Sequence, residues 1–209
     1  MFLVNLLNFK LTKKKGVSII NSFSINTKEL ILVALFAALT AIGAFIKIPT
    51  PFGVPFTLQP LFVMFAASLL GAKLALISQL VYILTGLAGF PIFTKGGGLH
   101  YIFQPSFGYL IGFAVGAYII GKIIENREKK ISNFLWANFT GLIIFYAVGA
   151  SYLYLIMNFY IGQNYPINKA LIGGFLIFLP WDALKVVITS IIAPKVINRI
   201  KEISPIVNK

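Results

Sequence analysis

Asp182 and Lys185 stand in an apolar run that opens at Ala170 and closes around Ala193-Pro194-Lys195. In a helix, residues three apart share a face, here about 4.5 Å apart along the axis at ~1.5 Å per residue. A charge at mid-membrane costs roughly 2.5–3.5 kcal/mol on insertion scales, so an ionisable pair there points to a function. A carboxylate accepts hydrogen bonds and an ammonium donates them. Together they suit a small polar group with both functions. An internal ion pair of purely structural role is the competing reading. Pro180 removes one helix bond near Leu176, which predicts a kink there and a carbonyl freed toward a cavity.

Other chemistries find little support. Cysteine is absent, which excludes disulfides and cysteine nucleophiles. His100 is the single histidine and has no metal partners in view, so no metal site and no cofactor are expected. Five acidic residues offer no paired carboxylates for hydrolysis. The glycine run Gly96-Gly97-Gly98 lacks the Gly-Lys-Ser/Thr ending of a phosphate loop. The chain reads as a binding protein and not as an enzyme.

The elements that must hold the pair follow from composition. The 209 residues are 58% hydrophobic and 11% charged, against roughly 45–50% and ~25% in soluble domains. An all-α, multi-pass membrane protein is expected, with about six spans once loops are allowed. The net charge of +13 does not indicate nucleic acid, because the basic residues cluster between apolar runs. Residues 1–28 read as a basic cytoplasmic or interfacial extension, 29–196 as the transmembrane domain, and 197–209 as a basic cytoplasmic tail.

The first span runs from about Leu30 to Ile46. Its Ala34, Ala37, Ala38 and Ala41 sit at spacings that let another helix approach closely, either one of its own or a partner's. Three prolines then stiffen the loop from Lys47 to Pro55. The second and third spans, about Phe56–Leu70 and Leu74–Leu87, are short and carry Gln59, Gln79 and Tyr82. These are open either to helix cross-linking or to a ligand. The triple-glycine loop, with Lys95 and Gly97, allows close backbone approach. Gly108, Gly112 and Gly116 give the fourth span (about Phe107–Ile124) a close-packing face, and Tyr109 lies beside it. The fifth span is about Phe134–Met157, and Tyr152, Tyr154 and Tyr160 read as an interface belt.

Charge asymmetry gives the orientation. Lys10, Lys13 to Lys15, Lys28, Lys73, Lys122, Arg127, Lys129, Lys130, Lys195, Arg199, Lys201 and Lys209 fall on one side of a six-span frame. Only Lys47, Lys95 and Lys169 fall on the other. Both termini are therefore expected in the cytoplasm, with the proline and glycine loops outside.

Several segments, in order and spacing, resemble the BioY family of biotin-specific substrate-capture subunits of energy-coupling factor (ECF) transporters. They are Ala34-Leu35-Phe36-Ala37-Ala38-Leu39-Thr40-Ala41, Val54-Pro55-Phe56-Thr57-Leu58-Gln59, Gly86-Leu87-Ala88-Gly89-Phe90-Pro91-Ile92-Phe93, Pro105-Ser106-Phe107-Gly108-Tyr109 and Leu179-Pro180-Trp181-Asp182-Ala183-Leu184-Lys185. The resemblance implies a subunit of the cytoplasmic membrane that binds biotin as transported ligand. It implies docking through the alanine motif on a transmembrane coupling subunit that carries two ATPases. It also implies that Asp182 and Lys185 meet the ureido ring of biotin. Some members have a basic residue after the tyrosine corresponding to Tyr109, where this chain has Leu110. Lys95 and the amides of Gly96 to Gly98 are the expected substitute for that basic residue, to hold the ligand's carboxylate. A stand-alone secondary transporter or facilitator for biotin or a related vitamin is the alternative.

Overall fold

Long apolar runs without backbone partners in lipid must close their own hydrogen bonds, and this chain does so almost entirely with helices. The computed structural model describes residues 25–203. The N-terminal extension lies outside the described residues except for positions 25–28, as does the tail from residue 204. Two compact units divide the chain, Met1–Ile31 and Leu32–Lys209, and every feature discussed below except the start of the first helix belongs to the second.

Helix α1 is Thr27–Phe45. Asn26 and Glu29 exchange backbone and side-chain hydrogen bonds at 2.9 Å, a box that satisfies two donors at its start. A two-stranded antiparallel ribbon follows, β1 (Lys47–Ile48) and β2 (Phe56–Thr57), with Lys47 opposite Thr57. Helices α2 (Gln59–Leu70) and α3 (Ala72–Leu87) come next, then a short helical turn Leu99–Phe103, α4 (Phe107–Glu125) and α5 (Ile131–Leu155). A π-helical turn, Ile156–Tyr160, prolongs α5.

The last apolar run departs from a single kinked span. It folds as a short helix α6 (Ile167–Leu171), a π-helical turn (Ile172–Leu176) and a long helix α7 (Leu179–Ile203). Pro180 sits in the first turn of α7, where a missing N–H needs no partner. The expected loosening is thus a break between two helical halves, and α7 continues through Pro194 instead of ending there.

Among the described residues, four stretches are long and apolar enough to cross a membrane: Thr27–Phe45, Phe107–Glu125, Ile131–Tyr160 and Ile167–Arg199. Helices α2 and α3 are shorter. At ~1.5 Å per residue they cover about 18 and 24 Å of a ~30 Å hydrocarbon core.

Packing is closest between α4 and α5, as the glycine stripe predicts. A Cβ on Gly112 would lie 2.9 Å from the Phe145 carbonyl oxygen, and one on Gly108 would meet the Tyr152 side chain at 2.1 Å. From the facing helix, a Cβ on Gly149 would meet the Tyr109 ring at 2.3 Å. Polar contacts tie other helices together: Asn138 of α5 donates to Ser190 of α7 at 3.1 Å, and Ser68 of α2 meets Asn138 at 3.4 Å. Such bonds are the usual glue between helices in lipid. Tyr152, one of the tyrosines read as an interface belt, also packs inward. Its hydroxyl donates to the Ile102 carbonyl and its ring packs on Phe107.

Candidate functional site

The ionisable pair is at the start of α7, where the chain re-enters a helix after the π-helical turn. Asp182 and Lys185 are both buried, at 4% and 8% exposure. Lys185 Nζ donates to Asp182 Oδ1 and also, at 2.6 Å, to the backbone carbonyl of Thr57 on β2. Tyr146 of α5 donates to the other carboxylate oxygen, Oδ2, at 2.7 Å. The charges are thus paired and bonded, as buried charges must be. The pair fastens α7 to both the ribbon and α5.

Asp182 lines a cavity between the ribbon loop, α2, α4, α5 and α7. Its walls are largely aromatic: Tyr109 and Phe113 from α4, Phe145 and Tyr146 from α5, and Phe178 before α7. Val54, Pro55 and Thr57 cover it from the proline loop and ribbon, and Gln59 and Pro60 from α2. Thr94, Tyr101 and Ser106 add hydroxyls from the glycine-loop side. An apolar shell with a few placed polar groups is the usual form of a small-ligand site. The free space is about 40 Å³, enough for about two or three waters. A larger ligand enters only if the walls part.

The proline and glycine loops do meet over this cavity. Lys47 Nζ donates to the carbonyl of Thr94, joining β1 to the glycine loop. At the proline loop's tip, Phe52 occupies the notch left by Gly173, where a Cβ would lie 2.4 Å from its ring.

The other residues singled out in the sequence fall into three groups. Gln59 and Tyr109 line the cavity. Gln59 Nε2 donates to the Tyr82 hydroxyl at 3.0 Å, and the Tyr109 hydroxyl donates to the Gly174 carbonyl at 2.5 Å. The Gly174 carbonyl, two residues before Leu176, is thus turned toward the Tyr109 side chain.

Tyr82 and Gln79 sit behind the wall. Tyr82 donates to the Ile92 carbonyl at 3.1 Å and so steadies Gln59 from behind. Gln79 reaches Thr40 of α1 at 3.3 Å and serves as a cross-link between helices.

Lys95 and Gly97 do not line the cavity. Lys95 is exposed. A Cβ on Gly97 would lie 2.0 Å from the Phe90 carbonyl oxygen, so its glycine serves the loop's own packing. The Gly96 and Gly98 amides are spent on Phe93 and Gly86. This leaves the expected anion cradle without most of its donors. Of the alanines on α1, Ala34 and Ala38 face outward, Ala41 is half-buried, and Ala37 is buried at 7% exposure.

Tyr146, Thr94, Tyr101 and Phe178 were not singled out in the sequence as site residues. Nothing local marks Tyr146, whose partner lies 36 residues away. Phe178 adjoins the proline that opens α7, and that proximity was the one available signal.

A family model described as the BioY family matches residues 12–202. The chain is 46% identical over 171 residues to the "Probable biotin transporter BioY" of Lysinibacillus sphaericus, covering 81% of this chain and 87% of that protein. It is 38% identical over 167 residues to the "Biotin transporter BioY" of Thermotoga maritima, covering 79% and 94%. Its fold is similar to a crystal structure of the S-component for biotin from an ECF-type ABC transporter, with a TM-score of 0.70 and 28% identity. That match covers 84% of this chain and 95% of the other.

Proposed function

This chain belongs to the BioY family, and from that premise we propose that it is the membrane-embedded subunit that captures biotin for an ECF-type transporter. It takes biotin from the outer face and hands it on in complex with a transmembrane coupling subunit and two ATPases, which hydrolyse the ATP. In this reading the bundle crosses the cytoplasmic membrane six times, with both termini inside. The basic residues concentrated on one side support that orientation.

The observation that carries the ligand assignment is the buried Asp182–Lys185 pair at the edge of an aromatic-walled cavity. A ureido ring offers N–H donors and a carbonyl acceptor. Asp182 takes an N–H, Lys185 donates to the ring carbonyl or fixes Asp182, and the apolar bicycle lies among Tyr109, Phe113, Phe145, Tyr146 and Phe178. With Lys185 and Tyr146 already on its two oxygens, Asp182 suits a fixed acceptor better than the proton carrier a stand-alone transporter would need.

Docking on the coupling subunit falls to the outward face of α1 with Ala34 and Ala38, flanked by exposed Leu35 and Ile42. Ala37 and Ala41 set the depth at which α1 sits. Titration of radiolabelled biotin on the purified chain, with related vitamins as competitors, tests the assignment. Saturable binding that only biotin-like ureido compounds displace is expected, and absence of binding would refute it.

A further inference from the structure

The floor of the cavity is charged, whereas its opposite wall carries hydroxyls. Thr94, Tyr101 and Ser106 are all buried and linked: Thr94 Oγ1 lies 2.7 Å from the Tyr101 hydroxyl, which lies 3.0 Å from Ser106 Oγ. Burial pushes the Tyr101 hydroxyl above its ordinary pKa, outweighing the hydrogen bonds that lower it, so it stays neutral and can donate.

The cation bonded to this wall is Lys47. It stands directly opposite Thr57 on the ribbon, and cross-strand partners project from the same face. Thr57 lines the cavity. The ammonium of Lys47 reaches the carbonyl of Thr94, which belongs to the glycine-loop wall. The Lys47 side chain therefore runs from the ribbon to the glycine loop and bonds a residue of the cavity wall, although Lys47 itself is exposed and is not one of the cavity's lining residues. An ammonium has three N–H donors, and one bond to Thr94 leaves others for a ligand. Lys95, one residue beyond Thr94, is also exposed and outside the lining; what distinguishes Lys47 is its bond to the wall at Thr94.

We propose that Lys47, with the hydroxyls of Thr94 and Ser106, binds the carboxylate of the transported ligand. The proposal rests on the biotin reading. Biotin carries its ureido ring and its carboxylate at opposite ends of a short apolar arm. A ring held by Asp182 and Lys185 sends the carboxylate toward the glycine-loop wall, which Lys47 bonds at Thr94. Two lysines then divide the ligand between them, the buried one at the ring and the exposed one at the anion.

The test compares biotin with biotinamide, which keeps the ring and arm but has no charge. On purified protein, Lys47→Gln should weaken biotin binding by about tenfold, the scale of a lost charge-assisted hydrogen bond. It should leave biotinamide binding unchanged, and Lys47→Arg should restore most of the loss. Lys95→Gln should change neither. In the wild-type protein the preference for biotin over biotinamide should shrink as salt is raised, a readout that needs no variant. The assignment is overturned if Lys47→Gln leaves biotin binding intact, or if it lowers both ligands equally, which would make Lys47 only a latch between ribbon and loop. A salt-independent preference overturns it as well. Wild-type protein that binds neither ligand overturns the biotin reading itself, a result distinct from loss confined to Lys47.

Discussion

Both oxygens of the Asp182 carboxylate are engaged, Oδ1 by Lys185 and Oδ2 by Tyr146 at 2.7 Å. The Tyr146 ring packs against Phe175 and Phe178 at centroid distances of 4.9 and 6.5 Å, so its hydroxyl arrives from a fixed direction. Tyr146→Phe keeps that ring and deletes only the hydroxyl. It should weaken biotin binding by roughly tenfold or more, since hydrogen bonds to charged groups contribute about 1.5–3 kcal/mol. The loss should not add to that of Asp182→Asn in the double variant; isothermal titration of the four proteins measures this. The Asp182–Lys185 pair was legible in the sequence because two charges inside an apolar run have no cheap alternative. Tyr146 was not, because aromatic residues fill such runs and only folding reveals which one meets the carboxylate. Gln79 and Tyr82 stood out as polar groups in apolar runs, but the Gln79 amide nitrogen bonds Thr40 and Tyr82 bonds Gln59 and Ile92.

Helix α4 holds its side of the cavity only because α5 comes close enough for Gly112 to touch the Phe145 backbone. Gly112→Leu must push the helices apart at that point and should cost roughly 1–3 kcal/mol or more. A lower melting temperature in detergent, partly recovered by saturating biotin, checks this. The small-residue spacing announced that contact in advance, since glycines four apart have few other uses in lipid. The break in the last apolar run was less visible. A proline inside a long apolar stretch reads alike whether it kinks a continuous helix or opens a new one. The deciding contacts are long-range: Phe52 seated on Gly173 and the Tyr109 hydroxyl on the Gly174 carbonyl. The loss of the glycine loop as an anion cradle has a similar cause, because its amides close the loop on Phe93 and Gly86.

At the scale of the whole molecule, the proposed ligand site and the proposed docking face lie on different elements of the bundle. Ala34 and Ala38 face out on α1, while the cavity lies on the far side of Thr40 and Gly43, which are buried. Ala38→Trp should therefore block assembly with the coupling subunit and leave biotin affinity unchanged, which co-purification and a parallel titration would check. The short α2 and α3 were anticipated from their apolar lengths, whereas the narrow cavity of about 40 Å³ could not be. The narrowing depends on Lys47, Lys185 and Phe52 each reaching across to another element. The central proposal is that Asp182 reads the ureido ring. Titrating tritiated biotin against wild-type protein and Asp182→Asn, side by side and at equal folded amounts, measures it. The prediction is saturation near about one biotin per chain for the wild type and an affinity at least roughly tenfold weaker for Asp182→Asn. Equal affinities would contradict it.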